Sequence, residues 1–331
     1  MISAWAAFAK SIEVRKSSSS GGIFNELACD MIDNEGVVYG VAMSLDNKLA
    51  EYLRINAIYD LSRIKGSKYL QAKIGDTFSR VKEDLDKGVP VLFSGTSCTI
   101  NGLKMFLGKD YDNLFCIDVI CHGVSSPSLW KTYIEYIENK TRTTIATVCF
   151  RYKLYEWKDF FVCFTNKDNE QFLSYASGDP YMQLFLNNIS LRPSCYECKA
   201  KDKRYSDISL GDFWGIDEVS PGFADNWGTS LVIVRSDRGK KLLDRIDSSI
   251  VRREVSYKDV IKYNPSEFRS VSRPSQRDTI FEDYLCCTIP QLCKKYIRIP
   301  VRIRIKNCLI NIKLVRKIIE HEKGVRAVEN I

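Results

Sequence analysis

The chain has 331 residues, with 45% hydrophobic and 27% charged side chains and a formal net charge of +8, a composition that excludes a disordered or fibrous protein. No apolar run approaches the ~18 residues of a membrane-spanning helix, and Ala4–Ala9 is too short, with no basic residues before it, for a secretory signal. Residues 294–331 hold eleven Lys or Arg and three Glu, so the first 293 residues are formally neutral, which argues against a chain-wide nucleic-acid footprint.

In chain order, residues 4–12 read as an extended piece, and 17–22 as a polar, Gly-ended loop feeding a helix over 23–34. Free N–H groups at such a helix start, with Ser19, Ser20, Gly21 and Gly22 before it, suit a phosphate. An ordinary serine-rich helix cap is the alternative. Residues 36–44 and 50–57 are expected strands, and 60–64 a helical turn leading to Gly66-Ser67-Lys68-Tyr69, where Lys68 can neutralise a diphosphate with Gly66 and Ser67 as donors. A solvated lysine is the other reading.

A helix over 76–87, a buried strand over 89–93, a helix over 100–107 and a strand over 114–120 form a strand-helix-strand unit. Parallel pairing of its two strands brings Ser94-Gly95-Thr96-Ser97-Cys98 and Cys121-His122-Gly123 to one sheet edge, where loops carry chemistry. His122, one of two histidines, reads as a hydrogen-bonding loop residue, with proton donor or ligand as the functional alternative. Pro127 starts a helix over 128–138. From Thr144 the pattern changes to period-2 runs over 146–152, 159–165 and 171–175, an antiparallel meander. A helix over 179–188, a cysteine loop over 191–198, strands over 206–211 and 229–235 and a helix over 237–246 follow. Residues 257–263 and 280–292 read as helices, with a loop over 264–274 between them.

Without a secretory signal, twelve cysteines point to free thiols in a reducing, cytoplasmic compartment. Cys195-Tyr196-Glu197-Cys198 puts two soft ligands on one turn and leaves a four-ligand site half filled; Cys98 and Cys121 are the donors that complete it. Cys29, Cys149 and Cys163 read as small buried hydrophobes, and Cys116 is a weaker alternative ligand.

Ser-Ser-Gly-Gly at 19–22, Gly66-Ser67-Lys68-Tyr69, Gly95-Thr96-Ser97-Cys98, Cys121-His122-Gly123-Val124-Ser125-Ser126-Pro127 and the cysteine pair followed by Gly211-Asp212-Phe213-Trp214-Gly215 resemble, in order, the coenzyme F420 hydrogenase/dehydrogenase beta-subunit family. The likeness covers roughly residues 1–235. It implies a flavin and iron–sulfur oxidoreductase in which Cys98, Cys121, Cys195 and Cys198 hold a [4Fe-4S] cluster. FAD is then bound by Ser19, Ser20, Gly21, Gly22, Gly66, Ser67, Lys68, Tyr69, Thr96 and Trp214, with His122 and Asp212 as catalytic residues and F420 or another flavin or deazaflavin as the reducible partner. Many relatives begin with a cysteine-rich ferredoxin-like segment that does not precede these phrases here, which implies either a separate electron carrier such as a ferredoxin or a chain that has lost the relay. Ser97, Thr99 and Ser125 replace the family's usual Pro, Gln and Pro, which leaves the thiols intact and the substrate open. Two other readings compete: a zinc-stabilised binding or assembly protein with the same four cysteines, and a redox-inactive relative acting in polysaccharide biosynthesis, where uncharacterised members occur.

The expected fold is α/β (mixed α+β), with a parallel strand-helix-strand section, an antiparallel section and a basic C-terminal appendage. The expected divisions are 1–80 (flavin-binding), 81–250 (catalytic) and 251–331 (helical and basic). Residues 294–318, with nine basic and no acidic side chains, are expected to meet an acidic partner or an anionic membrane surface. Alternation over 297–306 favours a strand there, and 309–318 a helix.

Overall fold

The structure is a computed structural model that describes residues 2–299, 301–305, 307–309 and 325–327. Among the described residues, nine strands form one mixed sheet: β1 Ser3–Ala9, β2 Val37–Met43, β3 Ala50–Ile55, β4 Ala72–Lys73, β5 Val91–Thr96, β6 Leu114–Val119, β10 Ile208–Asp212, β11 Ser230–Val234 and β12 Ile250–Val255. A second sheet holds β7 Ile145–Tyr152, β8 Phe161–Asn166, β9 Gln171–Tyr175 and β13 Val325–Ala327. The order in the first is β12-β1-β11-β10-β6-β5-β2-β3-β4 and in the second β13-β9-β8-β7.

The expected parallel unit is present. β5 and β6 are parallel neighbours in register from Val91 opposite Leu114 to Thr96 opposite Val119. β2 runs parallel to β5, and β10 parallel to β6. Successive residues of β5 enter opposite cores: Leu92 packs with Leu27, Val38 and Ile117, whereas Val91 and Phe93 pack with Tyr39, Leu103 and Leu114. A strand buried on both faces reads as a continuous apolar run, which is why 89–93 announces itself.

The period change at Thr144 marks the second sheet, whose strands β7, β8 and β9 pair antiparallel, with β13 added parallel to β9. Its inner face meets the helices Pro127–Thr141 and Pro180–Leu186 in an aromatic core of Trp130, Tyr133, Phe150, Phe164 and Tyr181. Trp130 is fully buried and its indole N–H donates to Asn47 O at 2.7 Å, so its polar edge is satisfied.

Several elements depart from the sequence reading. Residues 4–12 are β1 plus a short helix, Ile12–Lys16, capped by the Ser11 hydroxyl. β12 goes beyond the sequence reading: it lies at the sheet edge and its middle is the charged run Arg252-Arg253-Glu254, which carries little apolar signal. The helix expected over 280–292 is two helices, Arg277–Asp283 and Ile289–Tyr296, because a Thr288–Gln291 capping box and Pro290 start a new helix. Cys149 is exposed on β7 rather than buried. In the basic tail, residues 301–305 and 307–309 are helical, which corrects the strand expected over 297–306; the helix expected over 309–318 lies, beyond Leu309, outside the described residues. Among the described residues, no helix is long and apolar enough to cross a membrane.

Trp130→Ala should cost about 3–5 kcal/mol, since it opens a cavity between the second sheet and its helices. A thermal melt within 2 °C or so of wild type would show that this core is not coupled to the rest.

Candidate functional site

Because β1, β2, β5, β6 and β10 run in one direction, their carboxyl ends share one edge of the sheet. The phrases that follow these strands therefore meet there.

β5 continues to Thr96, and Cys98 sits in the first turn of the helix Ser97–Leu107 rather than in a loop. The Thr96 hydroxyl lies 3.1 Å from Cys98 Sγ and 2.9 Å from the Thr99 hydroxyl. Cys121 follows β6 by two residues, and backbone bonds stitch its loop to the others: Arg192 N–H donates to Val124 O at 2.9 Å and Gln71 N–H to Ser125 O at 3.0 Å. Ser125 bridges Leu70 on one side and Leu191 on the other.

The Arg192–Val124 bond ties the Cys121 loop to the Cys195–Cys198 loop. Burial pushes the Cys121 thiol up to about 12, and Cys195, Cys98 and Cys198 each add to the shift. Cys195 is raised by burial and then by Cys98 and Cys198, against a Val124 N–H that bonds its sulfur. The thiols thus perturb one another's ionisation, yet among the described residues no three His, Cys, Asp or Glu side chains converge on a single-ion site. Cys116 is elsewhere: it is buried in the core beside Val91 and Leu114, which raises its thiol to about 12.

The loops 17–22 and 65–68 also meet. Ser67 N–H donates to Ser19 Oγ at 2.8 Å, the two hydroxyls lie 3.0 Å apart, and Lys65 Nζ reaches Ser17 Oγ at 3.0 Å. Gly22 precedes the helix Ile23–Asp33 with φ +87° and no side-chain cap, so the helix start is not a serine cap. A Cβ on Gly21 would lie 2.5 Å from Ala7 O and 2.8 Å from Ser230 N; close packing on β1 and β11, apart from any ligand, requires glycine there.

Sequence reasoning passed over the hub of this half, Arg151 near the end of β7 and Lys153 just beyond it. The buried Arg151 donates to Asp212 Oδ2 at 2.8 Å and to the Tyr69 hydroxyl at 3.4 Å, and its guanidinium lies 4.0 Å from the Phe160 ring centroid. Lys153 Nζ bonds the carbonyls of Arg15, Ser20 and Trp227 at 2.8, 2.7 and 2.6 Å. No pattern in the sequence marks these two cations, because a register shift between Cys149 and Tyr152 breaks the period-2 reading there. Lys68 Nζ donates to Lys65 O at 2.7 Å. Burial lowers both lysines to about 7, and neither has a carboxylate partner among the described residues. Trp214, 39% exposed, stacks on Trp157 with centroids 5.1 Å apart. A cavity of about 490 Å³ shares Phe160 as a wall and is also lined by Lys158, Tyr175, Leu186 and Arg302.

Phe185 links the halves, with its ring 4.8 Å from Tyr69 and 5.1 Å from His122. Burial holds the His122 imidazole below its usual value, and its Nε2 is buried without a hydrogen-bond partner among the described residues. Asp212, expected as catalytic, is engaged by Arg151.

Thiols and lysine ammonium groups therefore lie at the carboxyl edge of a mixed α/β sheet. The family described as the C-terminal part of the beta subunit of coenzyme F420 hydrogenase/dehydrogenase matches residues 89–259, and the chain belongs to it. A chain of the F420-reducing [NiFe] hydrogenase complex from Methanosarcina barkeri is similar in fold, with a TM-score of 0.54 and 14% identity over 85% of this chain and 91% of that one. No curated protein matches this chain.

Arg151→Met and Asp212→Asn should each destabilise by about 3–5 kcal/mol by leaving a buried partner unpaired. The double variant should cost less than the sum, as read in a denaturation cycle; strict additivity would show that the pair is not coupled.

Proposed function

We propose that this chain is an iron–sulfur flavoprotein oxidoreductase, with a cubane on Cys98, Cys121, Cys195 and Cys198 and FAD on the adjoining cationic face. The observation that carries the reading is the joining of two incomplete half-sites through Phe185: four thiols on one side, and two lysines lacking carboxylates on the other. Both sets fit the groups assigned to them. Soft thiols are the ligands an iron–sulfur cubane takes, and ammonium groups bonded to carbonyls without an ion-pair partner among the described residues suit a diphosphate. When bound, the flavin exchanges hydride and the cluster single electrons, so the pair couples two-electron substrate chemistry to a one-electron carrier.

The residues have separable tasks. Lys68 and Lys153 neutralise the diphosphate beside the Ser19–Ser67 contact. Arg151 fixes Asp212 and Tyr69, while Trp214 and Thr96 flank the site. His122, whose imidazole burial holds below its usual value, accepts or relays a proton between the halves. The reducible substrate is assigned to the cavity behind Phe160. A ferredoxin-like carrier is the proposed electron partner, and the basic tail the surface for an acidic partner or anionic membrane.

Protein purified without oxygen should carry about four irons and four labile sulfides per chain. Serine at any of the four cysteines should abolish them, whereas Cys29→Ser and Cys163→Ser should not. One zinc without sulfide would establish the structural-metal alternative, and neither metal nor flavin after reconstitution would establish the redox-inactive one.

FAD affinity should also depend on pH. Lysines that titrate near 7 in the free protein must be charged to pair with a diphosphate, which raises their bound pKa. Affinity should be flat below pH 7 and fall above it, by up to about tenfold per pH unit for each lysine. Lys153→Met should weaken binding and flatten the profile. A pH-independent Kd between 7 and 9 in the wild type would place the diphosphate elsewhere.

A further inference from the structure

Beneath the cysteines lies a second charged group that neither the family phrases nor the flavin site uses. Lys201 follows Cys198 by three residues, in a single turn, Lys199–Lys201. Its Nζ donates to three backbone carbonyls: Cys121 at 2.9 Å, Ser266 at 2.5 Å and Arg269 at 2.7 Å. Every ammonium proton is thus committed, and none remains for a sulfur. Nearby, Cys198 N–H donates to Ser270 Oγ at 2.9 Å. The segment 266–270 therefore grips both cysteine loops, Cys121 through Lys201 and Cys198 through Ser270.

The surrounding charges cancel without Lys201. Arg204 donates to Asp118 Oδ2 at 2.6 Å and lies 3.2 Å from Glu267 Oε2, and Arg235 pairs with the other oxygen of Glu267. Two guanidinium groups face two carboxylates, Asp118 and Glu267 being almost fully buried. Lys201 has no ion-pair partner among the described residues, so its charge is the surplus. Its ammonium is held on the Cys121 carbonyl and belongs to the turn that follows Cys198.

We propose that Lys201 is a positioning residue that clamps the Cys121 loop to the Cys195–Cys198 loop and, through its fixed surplus charge, raises the midpoint potential of the cluster those loops hold. The inference rests on the iron–sulfur reading above. Adding one electron to a four-thiolate cubane makes it one unit more negative, and a cation held in a partly buried site stabilises the reduced form more than the oxidised one. Because its protons are spent on carbonyls, Lys201 acts through its charge rather than by a hydrogen bond to sulfur.

The test compares the full-length wild type with Lys201→Gln, which keeps N–H donors without charge, and Lys201→Arg, which keeps the charge. Each is purified without oxygen and analysed for iron and sulfide. Each is then titrated with dithionite through redox mediators while the reduced-cluster electron paramagnetic resonance signal is followed. Lys201→Gln should hold iron and titrate at a more negative potential, and Lys201→Arg should return towards the wild-type value. Iron lost from the Gln variant but kept by the Arg variant at the wild-type potential also supports the proposal, since charge then decides retention. A wild-type midpoint in an iron-replete Gln variant overturns it, as does loss of iron from both variants, which would leave Lys201 a structural strut. Wild-type protein without iron would instead overturn the cluster reading, and this inference with it.

Discussion

Parallel pairing of β5 with β6, and of β6 with β10, is the constraint on which the site depends. It sends Thr96, Val119 and Asp212 to one edge, although more than a hundred residues of chain separate the first from the last. The intervening antiparallel sheet is a long excursion that returns in register, and on the way it delivers Arg151 and Lys153 to the same edge. A one-residue slip in β6 would exchange its two faces and turn the residues before Cys121 away from their cores.

At that edge the chemistry divides by charge. One side carries Lys68 and Lys153, whose ammonium groups donate to backbone carbonyls, and the cysteine side carries thiols raised by burial and by one another. Each arrangement is costly by itself, because a buried unpaired charge loses its hydration. A protein retains such groups where a ligand completes the pairing, which is why perturbed groups gather at functional sites. By contrast, Arg151–Asp212 and the Arg204, Asp118, Glu267 and Arg235 group are internally balanced. They hold loops in place and need no ligand.

The departures from the sequence reading share a cause. β12 lies at a sheet edge, where charged side chains face water and apolar periodicity fades. The split of 280–292 is set by a local cap and a proline, signals that a hydrophobic pattern passes over. Cys149 lies in an apolar-looking run but faces outward, since one strand face of a half-covered sheet is exposed. In each case the local pattern is compatible with two placements and a distant neighbour decides between them.

The sequence by itself determined the parallel unit and the change to an antiparallel section at Thr144, because buried strands and period-2 runs are written in contiguous residues. The ordered phrases also marked the family. Only the tertiary structure decided that Ser19 meets Ser67, that Arg151 and Lys153 underlie both loops, and that Lys201 joins two cysteine loops. Those contacts cross from 48 to 138 residues of chain, and a charged side chain carries no mark of its distant partner. Its role is fixed by which carbonyls and carboxylates the fold places around it.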